Sequence, residues 1–163
     1  MEERFQTFTV LIAGISRSIR RIKTGEMAEF HLKSPHVSCL YYLYQADSLT
    51  ARELCSICEE DKANISRSIR YLEDNGYITC TSKTQKRYLA PLCLTERGRE
   101  IGRQIVEKID RVLDEASEGL SEHDREIFYR SLALIHGNLQ KICEQYDDSE
   151  SADVKGNHSN HDE

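Results

Sequence analysis

The sequence predicts a mainly α-helical fold carrying one small β-hairpin. Three observations predict it. Long stretches space their apolar residues by three and four, as one face of an α-helix requires. A single pair of short β-rich runs flanks a polar turn, and helix start and stop signals punctuate the chain between these segments. The length of 163 residues fits one domain with a modest core, so a lone subunit is expected to be marginal.

Residues 5–24 place Phe5, Phe8, Ile12, Ile15, Ile19 and Ile22 on one narrow stripe of a long helix. After a loop, Ser34-Pro35 reads as a helix start: serine can cap free amides, and proline tolerates the first helical position. That helix runs through Leu40 and Leu43 to about Ala46. Thr50-Ala51-Arg52-Glu53 has the form of a capping box and opens a short helix expected to bury Leu54 and Ile57. A tight turn leads to Asp61, the expected cap of a helix with Ile65, Ile69 and Leu72 inward, and Gly76 stops it.

Residues 77–82 and 87–93 are β-rich and flank Lys83-Thr84-Gln85-Lys86, which predicts the hairpin, with Pro91 expected to confine its second strand to an edge. A helix from about Thr95 to Ser117 turns Ile101, Ile105, Ile109, Val112 and Ala116 inward. Ser121 caps a last helix with Ile127, Leu132, Ile135, Leu139 and Ile142 on its apolar face. Beyond Tyr146 apolar periodicity ends, and residues 147–163 are expected to be a disordered acidic tail.

Two short capped helices joined by a tight turn and followed by a hairpin make a winged helix-turn-helix, here residues 34–94. The helices at 1–33 and 95–146 form a second, helical region. Their apolar faces exceed what the winged module can cover, so they are expected to dimerise; an intramolecular bundle of the same helices is the alternative.

Charge fits a double-stranded DNA partner. The net charge of -6 is concentrated in residues 144–163, which hold seven acids and one base, leaving the rest neutral. Between Lys62 and Tyr88, six basic residues (Lys62, Arg67, Arg70, Lys83, Lys86, Arg87) outweigh Glu73 and Asp74 for a local +4. With Ile65, Ile69 and Leu72 inward, steps of about 100° per residue turn Ala63, Ser66, Arg67, Arg70 and Asp74 outward. Lys62, Ala63, Asn64, Ser66, Arg67, Arg70, Lys83, Lys86 and Arg87 are therefore the candidate DNA-binding residues. A basic run alone would read as a solvated face; its coincidence with the helix-turn-helix favours DNA. The acidic tail could compete with DNA for this face.

Four segments in order resemble signatures of the MarR family of transcription regulators. They are Leu49-Thr50-Ala51-Arg52-Glu53-Leu54, Asp61-Lys62-Ala63-Asn64-Ile65-Ser66-Arg67, Leu72-Glu73-Asp74-Asn75-Gly76-Tyr77-Ile78 and Leu94-Thr95-Glu96-Arg97-Gly98. The resemblance spans roughly residues 5–143. It implies a homodimer whose first and last two helices interlock, gripping a palindromic operator, most simply as a repressor released by a small ligand or another signal. It places Ser66 and Arg67 at groove-contacting positions and Arg87 at the central arginine of the wing. Where many members carry Asp-Arg-Arg in the wing, this chain has Lys86-Arg87-Tyr88 and lacks the bracing acid.

Other features have bland readings beside sharper ones. His36, Tyr41 and Tyr44 are the candidate pocket for a small-molecule effector, although packing also accounts for the tyrosine cluster with Tyr42. Cys55 and Cys58 form a CxxC with no second pair at matching spacing, so core packing is the default over metal or redox chemistry. His31 and His36 lie near Glu26, Glu29 and Cys39, but no histidine occurs in 99–118 to complete a metal site, and no metal or other cofactor is expected. The repeat of Ile-Ser-Arg-Ser-Ile-Arg at 15–20 and 65–70 reflects two amphipathic helices. Metal or redox response and a protein-binding adaptor remain as alternative functions. No Gly-rich phosphate loop, nucleophile elbow or zinc-protease motif points to an enzyme. No run of eighteen apolar residues and no secretory leader is present, so no membrane partner and a cytoplasmic location are expected.

Overall fold

The computed structural model describes residues 2–58, 60–80 and 88–156. Its elements are α1 (Glu2–Glu26), a 3-10 turn (Ala28–Phe30), α2 (Ser34–Ala46), β1 (Ser48–Thr50), α3 (Ala51–Cys58), α4 (Lys62–Asp74), β2 (Ile78–Cys80), β3 (Pro91–Leu94), α5 (Glu96–Ala116) and α6 (Glu122–Gly156). Two compact units form, one ending at Asp114 and the other beginning at Glu115.

The first unit is built on α2, α3 and α4 around a small sheet. Leu40 and Leu43 of α2, Leu54 of α3, Ile65 and Leu72 of α4 and Leu92 of β3 are all fully buried together. Ile57 is exposed, against expectation. With Ala51 and Leu54 facing in, steps of about 100° bring Cys58 onto the inward side of α3 and carry Ile57 off it.

The sheet has three antiparallel strands in the order β1-β3-β2. Three-residue β1 was not expected, because so short a strand shows no alternation. It makes β3 the central strand, so Pro91 does not confine its strand to an edge. The register shows why this is tolerated. Pro91 faces Thr50 of β1, and among the described residues β2 pairs with β3 as far as Leu92, so the missing amide falls at the first residue of β3. Residues 81–87, which hold the expected turn with Lys83, Lys86 and Arg87, lie outside the described residues.

Local bonds set the helix starts. The Glu53 amide donates to Thr50 Oγ1 at 3.2 Å, and Glu53 Oε2 accepts from the Thr50 amide at 2.7 Å, closing the capping box. Donation to the carboxylate from the Thr50 amide, and from the Thr50 hydroxyl at 2.8 Å, holds the Glu53 carboxyl below its ordinary pKa. At α2 the cap is not Ser34, which is already helical; the preceding Lys33 amide donates to His36 Nδ1 at 3.2 Å. The imidazole reaches back three residues, as a glutamate does in a capping box. At α5, Thr95 Oγ1 accepts from the Gly98 amide at 3.0 Å and donates to the Gly76 carbonyl at 2.7 Å, which ties the start of α5 to the exit of α4. Gly76 itself has φ +70, the left-handed conformation that ends a helix cheaply only at glycine.

The long helices leave apolar faces open. Phe8, Ile12, Ile15, Ile19 and Ile22 along α1 are each 39–48% exposed. Along α5, Ile101 and Ile105 are buried, Ile109 and Val112 half-buried, and Ala116 exposed. In the second unit, Ser121 caps α6 by accepting from the Asp124 amide at 3.1 Å, and Ile127, Ile135, Leu139 and Ile142 are 38–47% exposed. The helix continues past Tyr146 to Gly156, where disorder was expected. Residues 147–155 contain neither proline nor glycine, so nothing in them stops a helix already under way. Among the described residues no helix is long and apolar enough to cross a membrane.

Candidate nucleic-acid interface

The exposed face of α4 is fixed by what its other face buries. Asp61 caps the helix by accepting from the Asn64 amide at 2.7 Å. Ile65, Ser68, Ile69 and Leu72 are buried beneath it. Lys62, Ala63, Ser66, Arg67, Arg70 and Asp74 are consequently exposed, as the helical period requires. Ser66, Arg67, Arg70, Tyr71 and Asp74 border a shallow groove of about 310 Å³. Among the described residues neither Arg67 nor Arg70 has an ion-pair or hydrogen-bond partner, so both guanidinium forks are open to an incoming acceptor.

Two of the candidate residues are already engaged. Asn64 is half-buried and its amide nitrogen donates to Glu60 Oε2, which turns it toward the inter-helix turn. The Lys62 ammonium stands 4.7 Å from the centroid of the Tyr88 ring, a cation-π contact that fastens the start of α4 to the returning arm of the hairpin. The sequence reading missed Glu60, Ser68 and Tyr88 as positioning residues. Only Ser68 had a signal, since it lies three residues after Ile65 on the inward face.

Replacing Asp61 by alanine is expected to cost about 1 kcal/mol of stability, because it orphans the Asn64 amide at a helix start where negative charge is also favoured. Urea unfolding of Asp61→Ala beside Asp61→Asn measures this. Equal midpoints for the two variants and the parent would show that the cap contributes nothing.

The residues expected to line an effector pocket have separate partners. The His36 ring stacks on Tyr71 at 4.2 Å between centroids, 7° from parallel, and burial, with Lys33 adding to it, lowers its pKa. Tyr41 packs edge-on against Tyr42 at 5.2 Å, and the Tyr44 ring lies against Gly102. An apolar cavity of about 90 Å³ lies elsewhere, bordered by Ile19, Ile22, Val37, Ile105, Ile109 and Leu113. Tyr71 joins two parts of the first unit: its ring carries His36 and its hydroxyl donates to the His31 carbonyl at 3.1 Å, which pins the loop before α2 to the outward-facing helix.

Residues 36–113 match the family described as winged helix DNA-binding domain. A MarR transcriptional regulator from Methanosarcina mazei Go1 superposes with a TM-score of 0.75 at 19% identity, covering 84% of this chain and 92% of that one. The chain has the winged-helix fold of MarR-type regulators. A MarR family regulator from Listeria monocytogenes, solved with a 26mer DNA, gives a TM-score of 0.73 at 23% identity over 78% of this chain and 85% of its own. In sequence, an HTH-type transcriptional regulator of Bacillus subtilis, YdgJ, is 23% identical over 111 residues, 68% of each chain. In this fold α3 and α4 form the helix-turn-helix, with β2 and β3 following it.

Proposed function

We propose that this MarR-fold chain is a transcriptional repressor that binds a palindromic operator as a cytoplasmic homodimer and is released by a small ligand or another signal. The observation that carries this reading is the outward face of α4, where Ser66, Arg67 and Arg70 are exposed over a buried anchor of Ile65, Ile69 and Leu72 and neither arginine pairs with any of the described residues. Such a helix can enter a major groove, reading base edges with some side chains and phosphates with others. Lys83, Lys86 and Arg87 would extend the contact from the wing, and Lys62 from the helix start. The Listeria neighbour solved with DNA supports the same use of the fold.

The apolar faces along α1 and α6 support the dimer, because apolar stripes of that length are covered by another chain more readily than by water. Twofold symmetry then calls for two half-sites about one helical turn apart. His36 and Tyr71 offer a route for the signal, since anything that displaces the His36 ring disturbs the loop and the recognition helix together.

The test is binding to the DNA upstream of the chain's own gene across a salt series, with sedimentation of the same sample. A dimer is expected, and log affinity should fall linearly with log salt at a slope of about -0.9 per phosphate neutralised. Binding that ignores salt, or a monomer at micromolar concentration, would overturn the proposal.

A further inference from the structure

We propose that His36 is a proton-operated catch on α4: protonation of its ring releases the loop before α2 from that helix and weakens DNA binding at acidic pH. The effect on DNA rests on the regulator reading and names the proton as its signal, whereas the catch itself does not. His36, only 9% exposed, holds three parts of the first unit together. Its Nδ1 accepts from the Lys33 amide at 3.2 Å and so starts α2, its face lies on the Tyr71 ring of α4 at 4.2 Å between centroids, and the Tyr71 hydroxyl donates to the His31 carbonyl at 3.1 Å. His31 has φ 56, a left-handed conformation that is strained for a residue other than glycine and persists where its surroundings hold it. The same Tyr71 borders the outward groove with Ser66, Arg67 and Arg70. The catch therefore has a strained loop at one end and the candidate DNA face at the other.

The bond from Lys33 fixes where the ring protons sit. A nitrogen that accepts holds no hydrogen, so the neutral ring carries its own on Nε2. A second proton, taken from solvent, must go to Nδ1, where it meets the Lys33 N–H. The acceptor becomes a donor, the start of α2 loses its bond, and a cation is left in a buried place beside the Lys33 ammonium. Stacking on Tyr71 favours a cation, but burial first and Lys33 second outweigh it and hold the ring below its ordinary pKa.

The other elements packed on α2 have their charges engaged elsewhere or turned outward. Helix α4 brings Tyr71 to the ring, with Arg67, Arg70 and Asp74 exposed along the groove. Lys23 of α1 donates to Ser38 at 3.1 Å, Glu53 of α3 is bonded to Thr50 while Arg52 is exposed, and β1 and β3 carry no charged side chain. A released ring titrates near the ordinary value of about 6.5, and a seated ring titrates lower. The seated state is thus favoured above that value and loses ground as pH falls through it toward the depressed one.

Nitrogen NMR of the full-length chain tests the catch without DNA. The neutral His36 ring should carry its proton on Nε2, titrate below about 6.5, and move the Lys33 amide resonance with the same midpoint. A neutral ring protonated on Nδ1, or a midpoint at or above the ordinary value, would overturn the proposal from the parent protein alone. For the switch, affinity is measured on the duplex from upstream of the chain's own gene at about pH 7.5 and about pH 5.5, the range in which histidine titrates. The parent should bind about fivefold or more weakly at the lower pH, with a midpoint matching that of the ring, a comparison that needs no variant. His36→Gln should lose this response, because its amide oxygen can take the Lys33 bond as in an ordinary capping box but cannot titrate. The direction is diagnostic: the chain holds six histidines, and their added positive charge alone would strengthen binding to DNA. Parent affinity that is equal or tighter at the lower pH, or an equal loss in folded His36→Gln, would overturn the switch. A parent that binds no duplex at either pH would instead overturn the regulator reading, with the catch still judged by the ring resonances.

Discussion

Arg67→Ala is expected to weaken operator binding by roughly 1–3 kcal/mol while leaving the stability of the protein unchanged. The two halves of that expectation come from the same observation. Arg67 is exposed on α4, nearly two turns in from the Asp61 cap, and makes no ion pair or hydrogen bond among the described residues, so alanine removes no contact made there. Alanine also has the better helix propensity. A loss of affinity would therefore report a contact with DNA and not a damaged helix.

The manner of loss separates two roles. A guanidinium placed bidentate on a guanine edge should relax sequence preference at one position, whereas one placed on a phosphate should weaken all sequences alike and reduce the salt slope by about one. Fluorescence anisotropy on the operator and on a scrambled duplex, for Arg67→Ala and Arg70→Ala, measures both. Parent-like affinity in both variants at every salt would remove α4 from the interface and with it the functional reading.

Helix α4 was legible in the sequence because its determinants are local. Asp61, Ile65, Ile69, Leu72 and Gly76 lie within five turns of chain, and a fixed angular step settles which residues face out. The capping box at Thr50 and the cap at Ser121 were legible for the same reason. What was not legible depends on partners distant in sequence. Pro91 could be read as an edge marker only without β1, whose pairing supplies the missing third strand. Ile57 carried a correct hydrophobicity but, at about 100° per residue, an angle roughly 90° from the centre of the face set by Ala51 and Leu54, which a two-turn helix is too short to average out. Among the DNA candidates, Asn64 looked as free as Ser66 until Glu60 took its side-chain amide.

The largest effect on stability is expected at Gly98, a residue whose family resemblance alone gives no reason for glycine. A Cβ there would lie 1.9 Å from the Tyr77 carbonyl oxygen and 2.9 Å from its carbon. Backbone cannot swing aside as a side chain can, and this carbonyl is held: it accepts from the Thr95 amide at 3.0 Å, while Arg97 donates to the Asn75 carbonyl at 3.0 Å and stacks over the Tyr77 ring at 4.5 Å. Gly98→Ala must therefore push α5 off the turn that ends α4, at a cost of about 3 kcal/mol or more. Helix propensity works the other way, favouring alanine by up to about 1 kcal/mol, and loses to the clash. Gly14→Ala isolates that opposing contribution, because nothing lies within 4 Å of its added Cβ, and should stabilise the protein slightly. Gly102→Ala falls between them, since its nearest atom, at 2.7 Å, belongs to a Tyr44 ring that can rotate. Urea unfolding of the three variants at one protein concentration, which keeps any dimer contribution constant, should rank them Gly14, Gly102, Gly98 from most to least stable. A Gly98→Ala protein as stable as its parent would show that α5 does not sit on the Tyr77 carbonyl, and the coupling between the wing base and the long helix would have to run elsewhere.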